Sequence, residues 1–150
     1  MNEAVTHRCA VLGSPIAHSL SPLIHRTAYD VLGLHGWSYE AFDIDEDALG
    51  RFIGSCGPEW VGLSCTRPLK RRLLDFGEAS FRAQALKSGN TYVFGRGGAP
   101  AFIDNTDVAG LLHPIRRAGF ENAASAIIVG AGATARSALL ALAQLGVRDV

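Results

Sequence analysis

Cysteine is scarce in this chain of 150 residues, which has only Cys9, Cys56 and Cys65. The three are odd in number, lie far apart and form no C-x-x-C pair. Neither a disulfide framework nor a zinc site is therefore indicated, and no other metal site is expected. This cysteine usage fits a reducing compartment, so we expect a cytoplasmic protein.

Long apolar runs and an excess of charge of one sign are also lacking. No stretch reaches the length of a membrane span, and the polar residues 1–8 lack the apolar centre of a signal peptide. The 14 basic and 14 acidic residues cancel, which argues against a nucleic acid or a membrane surface as partner. The expected partner is a small molecule recognised by local chemistry.

Strand patterns alternate with helical patterns along the chain, and 48% of the residues are apolar, enough for a sizeable core. Strands are predicted at residues 9–12, 37–44, 60–63 and 126–129, with an antiparallel hairpin from 90–94 and 99–103. Helices are predicted to begin at Ser21, Asp45, Pro68, Ser80, Thr106 and Gly132. This alternation predicts an α/β fold with a largely parallel sheet.

Two domains of unequal completeness are predicted. Residues 1–118 would form the first, a three-layer α/β domain, and residues 119–125 its junction to the second. Residues 119–150 would be the first strand and helix of a Rossmann-type nucleotide-binding domain. Such a domain needs several strands, and only one strand and the start of another at Val147 follow the junction. We therefore expect an N-terminal fragment.

The first polar motif spans residues 13–25, where Ser19 and Ser21 directly precede a predicted helix. A helix N-terminus carries unpaired N–H groups and partial positive charge. With two hydroxyls beside it, this terminus is suited to bind a carboxylate. The alternative is that Ser21 is only the N-cap, with Pro22 after it, and Ser19 only a loop residue. Spacing alone leaves both interpretations open.

The second motif, residues 62–70, follows a strand and turns into a helix at Pro68. Ser64, Thr66 and Lys70 then lie where ligands bind in parallel α/β sheets, at the carboxyl end of a strand. Arg71 and Arg72 follow Lys70 directly, so a solvated basic helix start is the alternative interpretation.

The third motif joins residues 88–91 with residues 104–107, two segments rich in short polar side chains at strand boundaries. Amides and carboxylates such as Asn90 and Asp107 suit a ligand with several hydroxyl groups, because they donate or accept in fixed directions. For residues 105–107 the alternative is helix capping with acid in the first turn.

The fourth motif, Gly-Ala-Gly-Ala-Thr-Ala at residues 130–135, follows a predicted strand and opens an apolar helix. That is the G-x-G-x-x-A fingerprint of dinucleotide binding in its required context. Its first glycine makes the tight turn, its second lets backbone approach a pyrophosphate, and its small sixth residue allows close helix packing.

Taken together, these motifs resemble the shikimate dehydrogenase family. The resemblance covers five motifs in the family's order, at residues 13–25, 62–70, 90–91, 105–110 and 130–135. It implies NADPH-dependent reduction of 3-dehydroshikimate to shikimate, with shikimate as the small-molecule partner and homodimers as an expected assembly. Many family members have Asn where Ser64 stands, and the shorter serine side chain reaches less far.

The resemblance also implies a role for each matching residue. Lys70 and Asp107 would be the catalytic pair. Substrate would be bound by Ser19, Ser21, Ser64, Thr66 and Asn90. The cofactor pyrophosphate would be bound by Gly130, Ala131, Gly132, Ala133, Thr134 and Ala135.

Cofactor choice and turnover stay open at this point. The residue that separates NAD from NADP lies about 20 positions after the glycine motif, beyond Val150. NADP is the family's usual cofactor, so an NAD-dependent quinate/shikimate dehydrogenase is the nearest alternative. An inactive module that only binds shikimate is a second.

Overall fold

A computed structural model describes residues 4–120 and 123–150. Its strands are β1 (His7–Gly13), β2 (Trp37–Asp43), β3 (Trp60–Cys65), β4 (Glu78–Ala79), β5 (Thr91–Val93) and β6 (Phe102–Asp104). Its α-helices are α1 (Ser21–Val31), α2 (Glu46–Ser55), α3 (Phe81–Leu86), α4 (Asp107–Arg117) and α5 (Ala133–Gln144), and a 3-10 helix spans Arg72–Phe76. In the part of the chain so described, no helix has both the length and the apolar character needed to cross a membrane.

The six strands form one mixed sheet in the order β2-β1-β3-β5-β6-β4. β1 pairs in parallel with both β2 and β3, and β4 pairs in parallel with β6. β5 is antiparallel to β3 and to β6, which confirms the predicted hairpin. The mostly parallel sheet confirms the predicted α/β class.

Alternation along β1 divides the core between the two faces of the sheet. Val11 packs on one face with Ile16 and Tyr39, beneath α1. Ala10 and Leu12 point to the other face, where they join Leu49 of α2 and the larger cluster of buried side chains. Helices on both faces give the three layers expected from the sequence.

The helix predicted at Ser21 begins there, but the N-cap role expected of Ser21 and the helix predicted from Pro68 are wrong. The N-cap residue of α1 is Leu20, and no side chain makes the capping bond. The Ser21 N–H donates to the hydroxyl of Ser19 at 3.3 Å. At Pro68 the chain forms a turn rather than a helix, and the 3-10 helix begins only at Arg72.

The buried strand predicted at residues 126–129 is also wrong. These residues are not a strand, and Ile127 and Val129 are 92% and 98% exposed. An isolated parallel bridge joins Ser125 to Asp149 beside them, where a further strand was predicted from Val147. A parallel strand is stabilised by neighbours and by helices on both faces, and the described residues supply only this bridge. Residues 121–122 of the predicted junction lie outside the described ranges.

α5 packs against α4 through a second, smaller core. Val108 and Leu112 of α4 meet Ala141 and Leu145, with Leu86 of α3 completing the contact. The apolar helix predicted after the glycine motif is therefore present, and that motif faces the loop after β3.

Candidate active site

A cavity of about 480 Å³ opens at the carboxyl ends of β1 and β3, the edge where parallel sheets bind ligands. It brings together all seven residues predicted to be catalytic or substrate-binding. They are Ser19, Ser21, Ser64, Thr66, Lys70, Asn90 and Asp107. Residues from separate segments of the chain thus converge on one space.

Gly13 allows two of these segments to approach each other. A Cβ atom at this position would collide with the methyl group of Thr66 and would lie 2.9 Å from the carbonyl oxygen of Arg67. The end of β1 can therefore lie directly against the loop after β3, where Thr66 lines the cavity, only because residue 13 has no side chain.

Lys70 and Asp107 form an ion pair on the cavity wall. The Lys70 Nζ lies 2.6 Å from Asp107 Oδ2, and the two side chains are only 15% and 21% exposed. Asp107 is the first residue of α4, where the helix dipole favours a negative charge. The pair places a cation with three N–H donors at the cavity, while the carboxylate fixes its position.

Asn90 holds the other oxygen of the same carboxylate. Its Nδ2 donates to Asp107 Oδ1 at 2.6 Å. Its Oδ1 accepts from the Thr106 N–H at 2.9 Å and from the Thr91 hydroxyl at 3.0 Å. These bonds fix which way the amide faces, so Asp107 is oriented from two sides before any ligand arrives.

The serine pair lies at the N-terminus of α1, on the same cavity. Both hydroxyl-bearing side chains line it and are partly buried. The Ser21 N–H already donates to Ser19, and Pro22 has no N–H. It is the dipole of α1 that adds positive partial charge beside the two hydroxyls. This end of the cavity is suited to bind a carboxylate, while Lys70 and Asp107 lie at another part of the wall.

Sequence reasoning missed other residues that line the cavity. Thr91 and Thr106 are among them. Thr91 and Thr106 belong to the two Asn-Thr motifs of the sequence, and these motifs could have indicated them. Only their neighbours Asn90 and Asp107 were assigned a role from the sequence.

A second cavity, of about 660 Å³, lies between the glycine motif and the loop after β3. It is lined by Gly130, Gly132, Ala133, Thr134 and Ala135. Ala131, the remaining residue predicted to bind cofactor, is not part of its lining. Thr66 and Lys70 line both cavities, so the two spaces meet at these side chains.

The glycine motif leaves room for a phosphate group beside it. Gly130 has φ +125°, a conformation that side chains disfavour, and a Cβ at Gly130 or Gly132 would meet no other atom within 4 Å. Gly132 is the N-cap of α5, and no side chain caps that helix. Free N–H groups, open space and Arg136 in the same lining fit the pyrophosphate of a dinucleotide.

Cys65 also lines the cavity that contains the serine pair, but it is 3% exposed and burial raises its pKa to about 12. Burial likewise raises the pKa of Cys56, to about 11, and that of Cys9. Because the thiolate is the reactive form, we expect all three thiols of the folded chain to react with Ellman's reagent at pH 8 at least about tenfold more slowly than after denaturation. Fast reaction of one thiol before unfolding would contradict this prediction.

Residues 11–92 match the family described as the shikimate dehydrogenase substrate binding domain. Among curated proteins, the NADP(+) shikimate dehydrogenase of Maricaulis maris (strain MCS10) is 40% identical over 143 residues, which is 93% of this chain and 50% of the relative. That of Thermus thermophilus is 37% identical over 140 residues, again 93% of this chain and 52% of the relative. The chain thus spans about half the length of the curated relatives that it matches.

Solved structures show the same likeness. Mycobacterium tuberculosis shikimate dehydrogenase superposes with a TM-score of 0.83 at 42% identity, over 94% of this chain and 52% of its own. A shikimate 5-dehydrogenase from Thermus thermophilus, solved in complex with NADP(H) and shikimate, gives 0.85 at 34% identity, over 95% and 54% of the two chains.

Proposed function

This chain belongs to the shikimate dehydrogenase family, and from that premise we propose that it is the substrate-binding part of an enzyme that interconverts 3-dehydroshikimate and shikimate with NADP. One observation supports this most directly. The ion pair of Lys70 and Asp107 lies where the cavity with the serine pair meets the cavity beside the glycine motif. A residue that assists hydride transfer between a substrate and a dinucleotide must lie at such a junction.

In this proposal the serine pair fixes one end of the substrate. Ser19 and Ser21 donate hydrogen bonds to the shikimate carboxylate, and the N-terminus of α1 adds its partial charge. Thr66 and Ser64 bind the ligand from the end of β3, and Asn90 binds a ring hydroxyl with the N–H that Asp107 leaves free. The substrate is thereby oriented with its reacting carbon toward Lys70.

Lys70 is then the proton donor and electrostatic stabiliser. As a ketone is reduced, negative charge grows on its oxygen, and an ammonium group at hydrogen-bond distance lowers the energy of that state and supplies the proton. Asp107 holds the ammonium group in place, and the hydrogen bond from Asn90 holds Asp107 in place. In the reverse direction the same lysine takes up the hydroxyl proton.

For the cofactor we propose that Gly130, Gly132 and residues 133–135 hold the pyrophosphate at the start of α5. Bound there, NADPH would supply the hydride. Two related proposals concern organisation: residues 1–118 form the substrate-binding domain, and residues 119–150 are the first part of a nucleotide-binding domain, of which α5 is formed here. A cytoplasmic location and homodimers remain predictions.

The second candidate function is binding of shikimate without turnover by this chain. The exposed Ile127 and Val129 favour it, because residues 126–129 do not form the strand that a nucleotide-binding sheet requires. Measuring shikimate binding and NADP reduction side by side separates the two functions, and quinate as a second ligand tests the related quinate/shikimate specificity.

Titrating the chain with shikimate while recording amide NMR shifts tests the proposed site. We expect saturable shifts at Ser19, Ser21, Lys70, Asn90 and Asp107. Ser21→Ala should weaken binding about 10- to 100-fold, the effect of losing a hydrogen bond to a charged group.

Ser55→Ala is the matched control, since Ser55 is exposed at the end of α2 and its hydroxyl donates only to the carbonyl of Phe52. The proposed site would be refuted if the folded chain does not bind shikimate. It would also be refuted if Ser21→Ala and Ser55→Ala weaken shikimate binding by the same factor.

A further inference from the structure

A buried tyrosine lies directly behind the cavity wall. Tyr39, in β2, is 3% exposed and is not part of the lining, but its hydroxyl donates a hydrogen bond to the Ser64 hydroxyl at 2.9 Å. Tyr39 therefore contacts, from the protein interior, a hydroxyl that lines the cavity.

The tyrosine ring is fixed by α1. His25 stacks on it with ring centroids 3.8 Å apart and planes inclined by 11°. His25 Nδ1 lies 2.8 Å from the Ser21 carbonyl oxygen, and because a carbonyl can only accept, that nitrogen carries the proton. Arg26 Nε donates to the Tyr39 carbonyl oxygen at 2.8 Å. The tyrosine has little freedom to turn its hydroxyl elsewhere.

A serine hydroxyl can donate one hydrogen bond and accept two. With the Tyr39 proton occupying an acceptor position of Ser64, the Ser64 proton cannot point back at Tyr39, and the open direction is into the cavity. Burial raises the pKa of Tyr39, so the phenol remains a donor throughout the neutral range. Donation into Ser64 also polarises its hydroxyl, which strengthens the bond that it donates in turn.

We propose that Tyr39 is a positioning residue that directs the Ser64 proton to the carboxylate of the bound substrate. The inference rests on the proposed function, because it takes shikimate as the ligand of this cavity. In this proposal Ser64 donates a hydrogen bond to the carboxylate despite its short side chain. With Ser19 and Ser21, it forms a set of three hydroxyl donors around one anion. His25 also has a task, since the stacked ring holds Tyr39 in place.

The test is a double-mutant cycle on shikimate binding by the 150-residue chain, measured by calorimetry. Tyr39→Phe keeps the ring and its stack on His25 and removes only the hydroxyl. We expect it to weaken binding about 3- to 10-fold, the effect of one neutral hydrogen bond. Ser64→Ala should weaken binding at least as much, and Tyr39→Phe should add less than about twofold in the Ser64→Ala background, because its effect passes through Ser64.

Tyr92→Phe is the matched control. Tyr92 is equally buried, at 4% exposure, but it belongs to the core on the opposite face of the sheet, so affinity should stay within about twofold. The methyl ester of shikimate, which lacks the negative charge, gives a second readout. Positioning of a donor toward the carboxylate predicts a larger loss for shikimate than for the ester, whereas a distorted fold would weaken both by the same factor.

The outcomes separate the two proposals. If the unmodified chain binds no shikimate, the proposed function fails and this inference falls with it. If the chain binds shikimate but Tyr39→Phe binds it equally well, only the inference is overturned. The inference would also be overturned if Tyr39→Phe weakened binding by the same factor with and without the Ser64 hydroxyl. The same holds if Tyr39→Phe weakened the binding of shikimate and of its methyl ester equally.

Discussion

Replacing Lys70 with alanine is expected to lower kcat for shikimate oxidation by a factor of about 10²–10⁴, the range for loss of a general acid–base residue. The reason is local: Lys70 is the ammonium group that lines both cavities, and Asp107 holds it 2.6 Å away. The measurement needs a complete nucleotide-binding domain. A hybrid in which this chain replaces the matching half of the Thermus thermophilus relative would supply one.

Arg72→Ala is the control for the loss of a positive charge near the site. Arg72 lies two residues away, but its side chain is 50% exposed and pairs with Asp75 in the same 3-10 helix. Exposed pairs of this kind contribute little, so kcat should stay within about twofold. A Lys70→Ala hybrid that kept its kcat would exclude the proton-donor role, whatever its affinity for shikimate.

The location of the site was predictable because the end of a strand and the start of a helix are each indicated by a short local sequence pattern. Ser64 and Thr66 follow an apolar run, and Ser19 precedes Pro22, so each could be placed at the edge of a sheet or the start of a helix. The contact between Lys70 and Asp107 was different. The two residues are 37 positions apart, and only the family resemblance, not their spacing, joined them.

Tyr39 shows what local patterns do not reveal. Within residues 37–44 it is one aromatic residue of a strand, and nothing in that segment distinguishes a core tyrosine from one whose hydroxyl reaches a binding site. Its partners, Ser64 and His25, lie on two other elements. The contacts of Tyr39 are determined by the register of β2 beside β1 and by the position of α1 over the sheet. Both are tertiary properties.

The strand predicted at residues 126–129 is wrong because its formation depends on partner strands, which a local sequence pattern does not show. Four apolar residues between Ser125 and Gly130 favour a buried parallel strand, but a strand is stable only when neighbouring strands pair with it. The described residues offer one isolated bridge, between Ser125 and Asp149. α5 did form, because a helix makes its backbone hydrogen bonds within itself, and α4 and Leu86 of α3 cover its apolar side.

A buried polar cluster connects this helix to the ion pair of Lys70 and Asp107. Asn105 is fully buried, and its Nδ2 lies 2.9 Å from the Ser88 carbonyl oxygen and 3.2 Å from the hydroxyl of Ser137 on α5. Its Oδ1 accepts from the Asp107 N–H at 3.1 Å. The N-cap residue of α4 is Thr106, and no side chain makes its capping bond, so Asn105 supports the start of the helix from the position before the cap. One amide thus joins the start of α4, where Asp107 lies, to the helix that follows the glycine motif.

Asn105→Ala is accordingly expected to lower the free energy of unfolding by about 2–4 kcal/mol, because it leaves the Ser88 carbonyl and the part-buried Asp107 N–H without their partner. Urea denaturation followed by circular dichroism measures it. Gln84→Ala is the control: that amide also donates to a backbone carbonyl, of Ala79, but at an exposed position, so its loss should change stability by less than about 0.5 kcal/mol. Equal effects of the two substitutions would mean that the buried cluster contributes no more than a surface contact, and that α5 is held to the start of α4 by its apolar side alone.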